Sequence, residues 1–185
     1  KIFKSEIITD LIKVLGCGVQ VKSRANKSIG AFDINALRWN KVILCTDADV
    51  DGFHIRTMLL TMLYRLTPDL IRRDKVFIAE SPLYEITCKD KTYFAYNERE
   101  KEQFLQELAG QKFTIQRSKG LGENDPEMMN LTTMNPKTRR LIQVKPGDVE
   151  QATQMFDVLL GDNLSGRKDY IADHGGEYLD DLDVS

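Results

Sequence analysis

Residues 41–56 read KVILCTDADVDGFHIR, an apolar run that gives way to aspartates at every second position. Val42 to Cys45 is too short for a helix and has no polar alternation, so the spacing predicts a strand covered on both faces. Gly52 breaks the pattern. From His54 to about Arg73 the period becomes helical, with Ile55, Met58, Leu59, Met62, Leu63 and Leu66 facing the core. KVFIAE, residues 75–80, then reads as a second buried strand. Strand, acidic turn, helix and strand make a β-α-β unit, for which a parallel sheet and a right-handed crossover are the default. In such sheets the functional site lies beyond the carboxyl ends of the strands. Asp47, Asp49 and Asp51 fall in that place.

Upstream, Ser5 to Leu15 carries Ile7, Ile8, Leu11, Ile12 and Leu15 on one helical face, stopped by Gly16 and Gly18. Downstream, Pro82 opens a different texture. LYEITCKD and KTYFAYN alternate around Lys89-Asp90-Lys91 as a β-hairpin, and Asn97 with Glu100 three residues later marks a helix start. KFTIQR, residues 112–117, is a further strand leading into the glycine-bearing turn SKGLGEND, and Asp125-Pro126 starts another helix. A helix follows Gly147-Asp148, with Val149, Ala152, Met155, Phe156 and Leu159 on one stripe. A shorter polar helix lies in GDNLSGRKDYIADHG, and the acidic end EYLDDLDVS is expected to fray.

At 185 residues, 42% hydrophobic and 29% charged, the chain has ordinary globular usage and is long enough to bury a sizeable core. No apolar stretch approaches the roughly 20 residues of a membrane helix, and the amino-terminal pattern lacks a signal-peptide core. Cys17, Cys45 and Cys88 are three, far apart and without a Cys-x-x-Cys pair; with only His54 and His174 beside them, neither a disulfide framework nor a zinc cluster is supplied. A reducing compartment, the cytoplasm, is the natural expectation. The formal charge of −2 carries no global signature of nucleic-acid binding, so basic residues toward DNA must act locally.

In an extended segment alternate side chains share a face, so Asp47, Asp49 and Asp51 can point the same way at intervals of about 6.6 Å. Their mutual repulsion is commonly relieved by a hard divalent cation, magnesium before zinc given the oxygen donors. Three other readings are open on spacing alone. One is a solvated turn capping the following helix. A calcium loop of EF-hand type matches Asp47, Asp49, Asp51 and Gly52, but Met58 stands where a bidentate glutamate is required, and a strand precedes the loop. A phosphatase of the haloacid-dehalogenase type uses Asp-x-Asp at a strand end, and Asp51 argues against it.

Several ordered blocks narrow the choice. TDADVDGFHIRTMLLTMLYR, VFIAESPLYEI, KGLGENDPEMMNLTTMNPKTRRLIQV and MFDVLLGDNLSGRKDYI resemble, in order and spacing, the carboxyl-terminal part of the B subunit of bacterial type IIA DNA topoisomerases, the gyrase and topoisomerase IV group. The resemblance covers nearly all of the chain from about Ser5. It implies an α/β fold: a TOPRIM Rossmann-like parallel sheet with flanking helices over 1–85, a connecting hairpin, helix and strand over 86–118, and a mixed α+β tail over 119–185.

It also implies that Asp47 and Asp49 are catalytic and the principal magnesium ligands, with Asp51 weaker or water-mediated and manganese or calcium as substitutes. The family pairs these carboxylates with a glutamate in an earlier Glu-Gly-Asp-Ser motif. None precedes Asp47 here, so the chain is expected to begin after it and, taken alone, to be inactive. The implied chemistry is reversible double-strand cleavage of DNA, the attacking tyrosine coming from an A subunit in an A2B2 heterotetramer.

The ATPase and transducer domains would belong to the same full-length B subunit; this chain has no Walker-type glycine loop. A bacterial cytoplasmic, nucleoid-associated setting and no membrane partner follow. His54, Arg56, Lys119, Arg167 and Lys168 become candidate DNA contacts, each with a local structural role as its rival. Arg167 and Lys168 stand where the family often has Pro-Arg-Arg. Phe53, Ser118 and Asn124 depart from the family's usual residues. Another TOPRIM enzyme, a primase or nuclease, and a non-catalytic interaction module are the alternative functions.

Overall fold

A computed structural model describes residues 2–21, 29–118, 120–145, 147 and 149–177. They fall into two compact units, Lys1–Val144 and Lys145–Ser185.

The first unit is built on the β-α-β unit. Strand β1, Val42–Leu44, pairs in parallel with β2, Val76–Ala79, in the register Val42 to Val76 and Leu44 to Ile78. Helix α1, Glu6–Leu15, packs Ile12 and Leu15 into the core formed with Val19, Leu63, Leu66, Leu70 and Val76. Ile8, Leu11, Ile12 and Leu15 follow the i, i+3, i+4, i+7 rule of a single stripe. Ile7, expected on that stripe, is 80% exposed. It precedes the stripe by one residue, a turn of about 100° away from the core. Gly16 ends α1 at φ 81°, its N–H donating to the Ile12 carbonyl, a left-handed cap that glycine adopts without steric cost.

Helix α2 runs Val50–Leu66, starting earlier than the expected His54, and a separate helix α3, Pro68–Arg72, follows. The proline explains the interruption, because it has no N–H to continue the ladder. Met62, Leu63 and Leu66 are buried, whereas Ile55 and Met58, expected in the core, are exposed. Lengths account for this. Seventeen helical residues span about 25 Å, while the three and four residues of β1 and β2 span about 10–13 Å, so the first turns of α2 have no sheet to cover.

The sheet order is β1-β2-β6, where β6, Leu141–Gln143, runs antiparallel to β2 with Ala79 opposite Leu141. Sequence periodicity does not announce β6. Val42, Ile43 and Leu44 are half-buried rather than covered on both faces, because β1 is the edge strand among the described residues.

A second sheet, all antiparallel, has the order β4-β3-β5: β3 is Tyr84–Cys88, β4 Lys91–Ala95 and β5 Thr114–Arg117. Helix α4, Glu98–Glu107, is capped by Asn97, whose side-chain oxygen accepts from the Glu100 N–H at 2.8 Å. Ile86, Cys88 and Leu108 are buried with Tyr93 and Phe104 packed on them. Helix α5, Pro126–Met129, capped by Asp125, continues as a wide turn through Met134.

The second unit holds helices α6, Val149–Leu160, and α7, Leu164–His174, the latter capped by Asn163 through the Gly166 N–H at 3.0 Å. Of the expected stripe on α6, Leu159 is half-buried and Met155 is 38% exposed; the side chains of Val149, Ala152 and Phe156 lie outside the described residues. No helix among the described residues is long and apolar enough to cross a membrane.

Candidate metal centre

Beyond the carboxyl end of β1 the chain passes through Cys45 and the buried Thr46 to Asp47. Asp47 Oδ1 accepts a 2.7 Å hydrogen bond from the Leu121 N–H, 74 residues downstream. Asp49 is the N-cap of α2, its Oδ1 accepting from the Gly52 N–H at 2.7 Å. Both bonds join a carboxylate to an N–H, the charge-assisted kind that fixes orientation. Among the described residues no hydrogen bond takes up Oδ2 of either aspartate, and it is the oxygen left to a ligand.

Gly52 does more than break a pattern. A Cβ built on it would lie 2.1 Å from the Asp47 carbonyl oxygen and 3.0 Å from the Asp47 nitrogen, so only glycine lets the first turn of α2 pack against the Asp47 backbone. The acidic turn is thereby held against the helix that follows it.

Asp51 stands apart. Because α2 begins at Val50, the period-two alternation stops after Asp49, and Asp51 lies exposed in the first helical turn. The three carboxylates therefore do not line one face. Among the described residues no three His, Cys, Asp or Glu side chains are gathered closely enough to hold a metal ion. Two hard oxygen donors remain, which still suits magnesium: it keeps several waters and takes one or two carboxylates plus substrate phosphates rather than an all-protein cage.

The basic candidates separate as clearly. Arg56 Nε donates to the Thr46 hydroxyl at 3.2 Å, and the guanidinium lies 5.1 Å from the Phe53 ring centroid. Burial lowers the proton affinity of Arg56, with Cys45 and Glu80 acting in the opposite sense. His54 is exposed on α2. Lys119 lies outside the described residues. In the second unit, Arg167 Nη2 donates to the Gly161 carbonyl at 2.6 Å, tying α7 to the end of α6, and Lys168 is exposed.

Four participants escape a reading of the sequence: Thr46, Gly52 as a packing element, Glu80 and the Leu121 N–H. Glu80 follows the end of β2, close enough for its charge to act on Arg56, and its own N–H donates to the Arg140 carbonyl at 3.1 Å. Only Glu80 offered a signal, as an acidic residue at the carboxyl end of a buried strand.

Two protein-family models match this chain. Residues 4–81, which include both aspartates, match the Toprim domain, and residues 110–172, which include Leu121, match the carboxyl terminus of the DNA gyrase B subunit. The chain belongs to the Toprim-bearing topoisomerase subunits, and its parallel strand pair and flanking helices are of that type.

Within that class it is similar to DNA gyrase B subunits. It is 40% identical over 174 residues to the DNA gyrase B subunit of Thermotoga maritima, covering 94% of this chain and 26% of the relative. The DNA gyrase B subunits of Clostridium acetobutylicum and Thermus thermophilus are 41% and 39% identical, over 100% and 94% of this chain and 28% and 27% of the relatives. The chain thus spans about a quarter of the length of the curated relatives it matches.

Proposed function

We propose that Asp47 and Asp49 hold a magnesium ion that serves reversible double-strand cleavage of DNA by a type IIA topoisomerase. The attacking tyrosine would come from an A subunit, and the ATPase and transducer domains from the same full-length B subunit, in an A2B2 assembly of the bacterial cytoplasm. One observation carries this reading: two aspartates at the carboxyl end of a parallel strand, each with one carboxylate oxygen fixed by a backbone N–H, within the Toprim match. When bound, the metal supplies charge stabilisation at the scissile phosphate and the departing 3′ oxygen. Manganese and calcium share the same preference for oxygen ligands.

The chain's own residues orient and bind. Asp49 holds its carboxylate at the helix start, and Asp47 holds its own against the turn at Leu121. Arg56, placed by Thr46 and Phe53 beside the acidic turn, and the exposed His54 are the basic side chains best situated to meet a DNA phosphate. Lys119 shares that proposed role from sequence. Lys168 is the exposed cation of its pair, and Arg167 serves the connection between α6 and α7. We read 1–85 as the metal-bearing module, 86–118 as its connector and 119–185 as the tail that completes it.

Asp49→Asn tests this in the full-length B subunit paired with its A subunit. Asparagine is as good an N-cap as aspartate, so the helix start is kept while the charge is removed. Linearisation of supercoiled plasmid should fall by about 100-fold or more, the scale of several kcal/mol of lost charge stabilisation. Normal cleavage by that variant would end the proposal.

A further inference from the structure

We propose that the 3-10 turn Leu121–Glu123 is a positioning element of the metal centre: its Leu121 N–H fixes the Asp47 carboxylate so that Oδ2 is left to the cation. This rests on the reading of Asp47 and Asp49 as a metal pair. Its own basis is the 2.7 Å bond between Asp47 Oδ1 and the Leu121 N–H, which joins residues 74 positions apart.

An aspartate side chain turns about two bonds, and a metal ligand that must first be ordered binds more weakly than one already in place. Asp47 is restrained at both ends. Its backbone lies under Gly52, where no Cβ fits, and its Oδ1 is held by Leu121. The donor is itself braced. The Ser118 N–H donates to the Leu83 carbonyl at 2.9 Å, anchoring the turn where β5 leaves the second sheet. The Ser118 hydroxyl donates to the Asn124 side-chain oxygen at 2.9 Å, closing the turn, and the Glu123 N–H donates to the Gly120 carbonyl at 3.1 Å. Asn124 Nδ2 reaches Met129 Sδ at 3.7 Å, linking the turn to α5.

Gly120 completes the arrangement. A Cβ there would sit 3.5 Å from Asp47 Oδ2 and 3.6 Å from Oδ1, an ordinary contact, but atoms beyond Cβ would lie over the oxygen offered to the metal. Leu121 is the first residue of a short 3-10 turn, Leu121–Glu123, and Gly120 before it is extended at φ −164°, ψ 158°. Proline is tolerated at that first helical position and after an extended residue. Leu121→Pro therefore removes the donor from a backbone already suited to proline, and Leu121→Ala removes the side chain alone.

The test is Mn2+ binding to this chain, read by the enhancement of water-proton relaxation, which needs no DNA and no catalytic turnover. Leu121→Pro should weaken Mn2+ binding about tenfold relative to Leu121→Ala. Affinities within twofold of each other, or tighter binding by Leu121→Pro, overturn the proposal. Ser118→Ala keeps it open to refutation where Leu121→Pro fails to fold: a loss of about threefold restored by Ser118→Thr supports it, and no loss overturns it. Asp47→Asn and Asp49→Asn separate the two levels of the argument. If both bind Mn2+ as the wild type does, the metal reading falls and this proposal with it; if both abolish binding while Leu121→Pro matches Leu121→Ala, only the positioning role falls.

Discussion

Arg140 Nη1 lies 2.7 Å from Glu100 Oε1, and the Arg140 guanidinium stacks 3.9 Å from the centroid of the Tyr96 ring. Arg140 immediately precedes β6, while Glu100 and Tyr96 belong to α4 and the end of the hairpin, so one side chain ties the first sheet to the second. The second Glu100 oxygen accepts from the Tyr96 N–H at 3.1 Å, which leaves the carboxylate doubly held. Both ion-pair partners are partly exposed, so solvent screening limits the pair to about 1 kcal/mol, with a similar amount from the stack. Arg140→Ala should therefore cost about 1–2 kcal/mol in urea unfolding, and Arg140→Lys less than half of that.

Gly52→Ala should be far more damaging than a usual glycine-to-alanine change in a helix, which is stabilising where space allows. The added methyl would meet the Asp47 carbonyl oxygen at 2.1 Å, and backbone must shift to admit it. A loss of about 2–4 kcal/mol is expected, on the scale of overpacking a tight site. Unfolding midpoints measure the cost. An unchanged midpoint would show that α2 does not pack against Asp47 as described.

Ile86 is fully buried in the second sheet between Cys88, Leu108, Tyr93 and Phe104. Ile86→Ala should destabilise the chain by about 2–5 kcal/mol through lost transfer energy and the cavity left behind. Denaturant titration followed by circular dichroism reads this directly, and Ile86→Val should recover most of the loss.

Glu98 gives a pH dependence whose sign is fixed. Its carboxyl is held below the ordinary carboxylate range, first by Lys101 and then by the Tyr84 hydroxyl that donates to it. Lys101 is raised, chiefly by Glu98, and Tyr84 is raised, chiefly by burial. A depressed acid contributes stability that is present above its unfolded value of about 4.3 and is lost as pH falls through the folded one. The raised Lys101 and Tyr84 contribute below their unfolded values, about 10.4 and 10, and lose that contribution as pH rises through their folded ones. The advantage of wild type over Glu98→Gln should thus be a plateau from about pH 5 to 9 that declines on both sides. Urea midpoints of the two proteins across that range are the check.

The parallel strand pair, the helix between its strands and the position of Asp47 and Asp49 just past the first strand were legible in residues 42–80, because buried strands and helices leave periodic signals. The misses share a physical origin. Strand β6 has three residues, too few for a period to register, and it is made a strand by the edge of β2 that it meets. Asp51 left the row of carboxylates because the cap at Asp49 starts the helix one residue later, which alternation alone does not reveal. The partner of Asp47 was invisible for a simpler reason: every residue but proline carries an N–H, so the sequence never marks which one will be used.

Strand β6 and the Leu121 N–H impose an order in time as well as in space. A growing chain that has just emerged through Glu80 already contains every aspartate of the acidic turn, both strands of the parallel pair and the helix between them. It does not yet contain the donor for Asp47 or the strand that seals the far edge of β2. During synthesis the Asp49 carboxylate can thus be capped by Gly52 at once, whereas the Asp47 carboxylate gains its N–H donor only when the ribosome has delivered Leu121, and the edge of β2 is sealed later still, with Gln143.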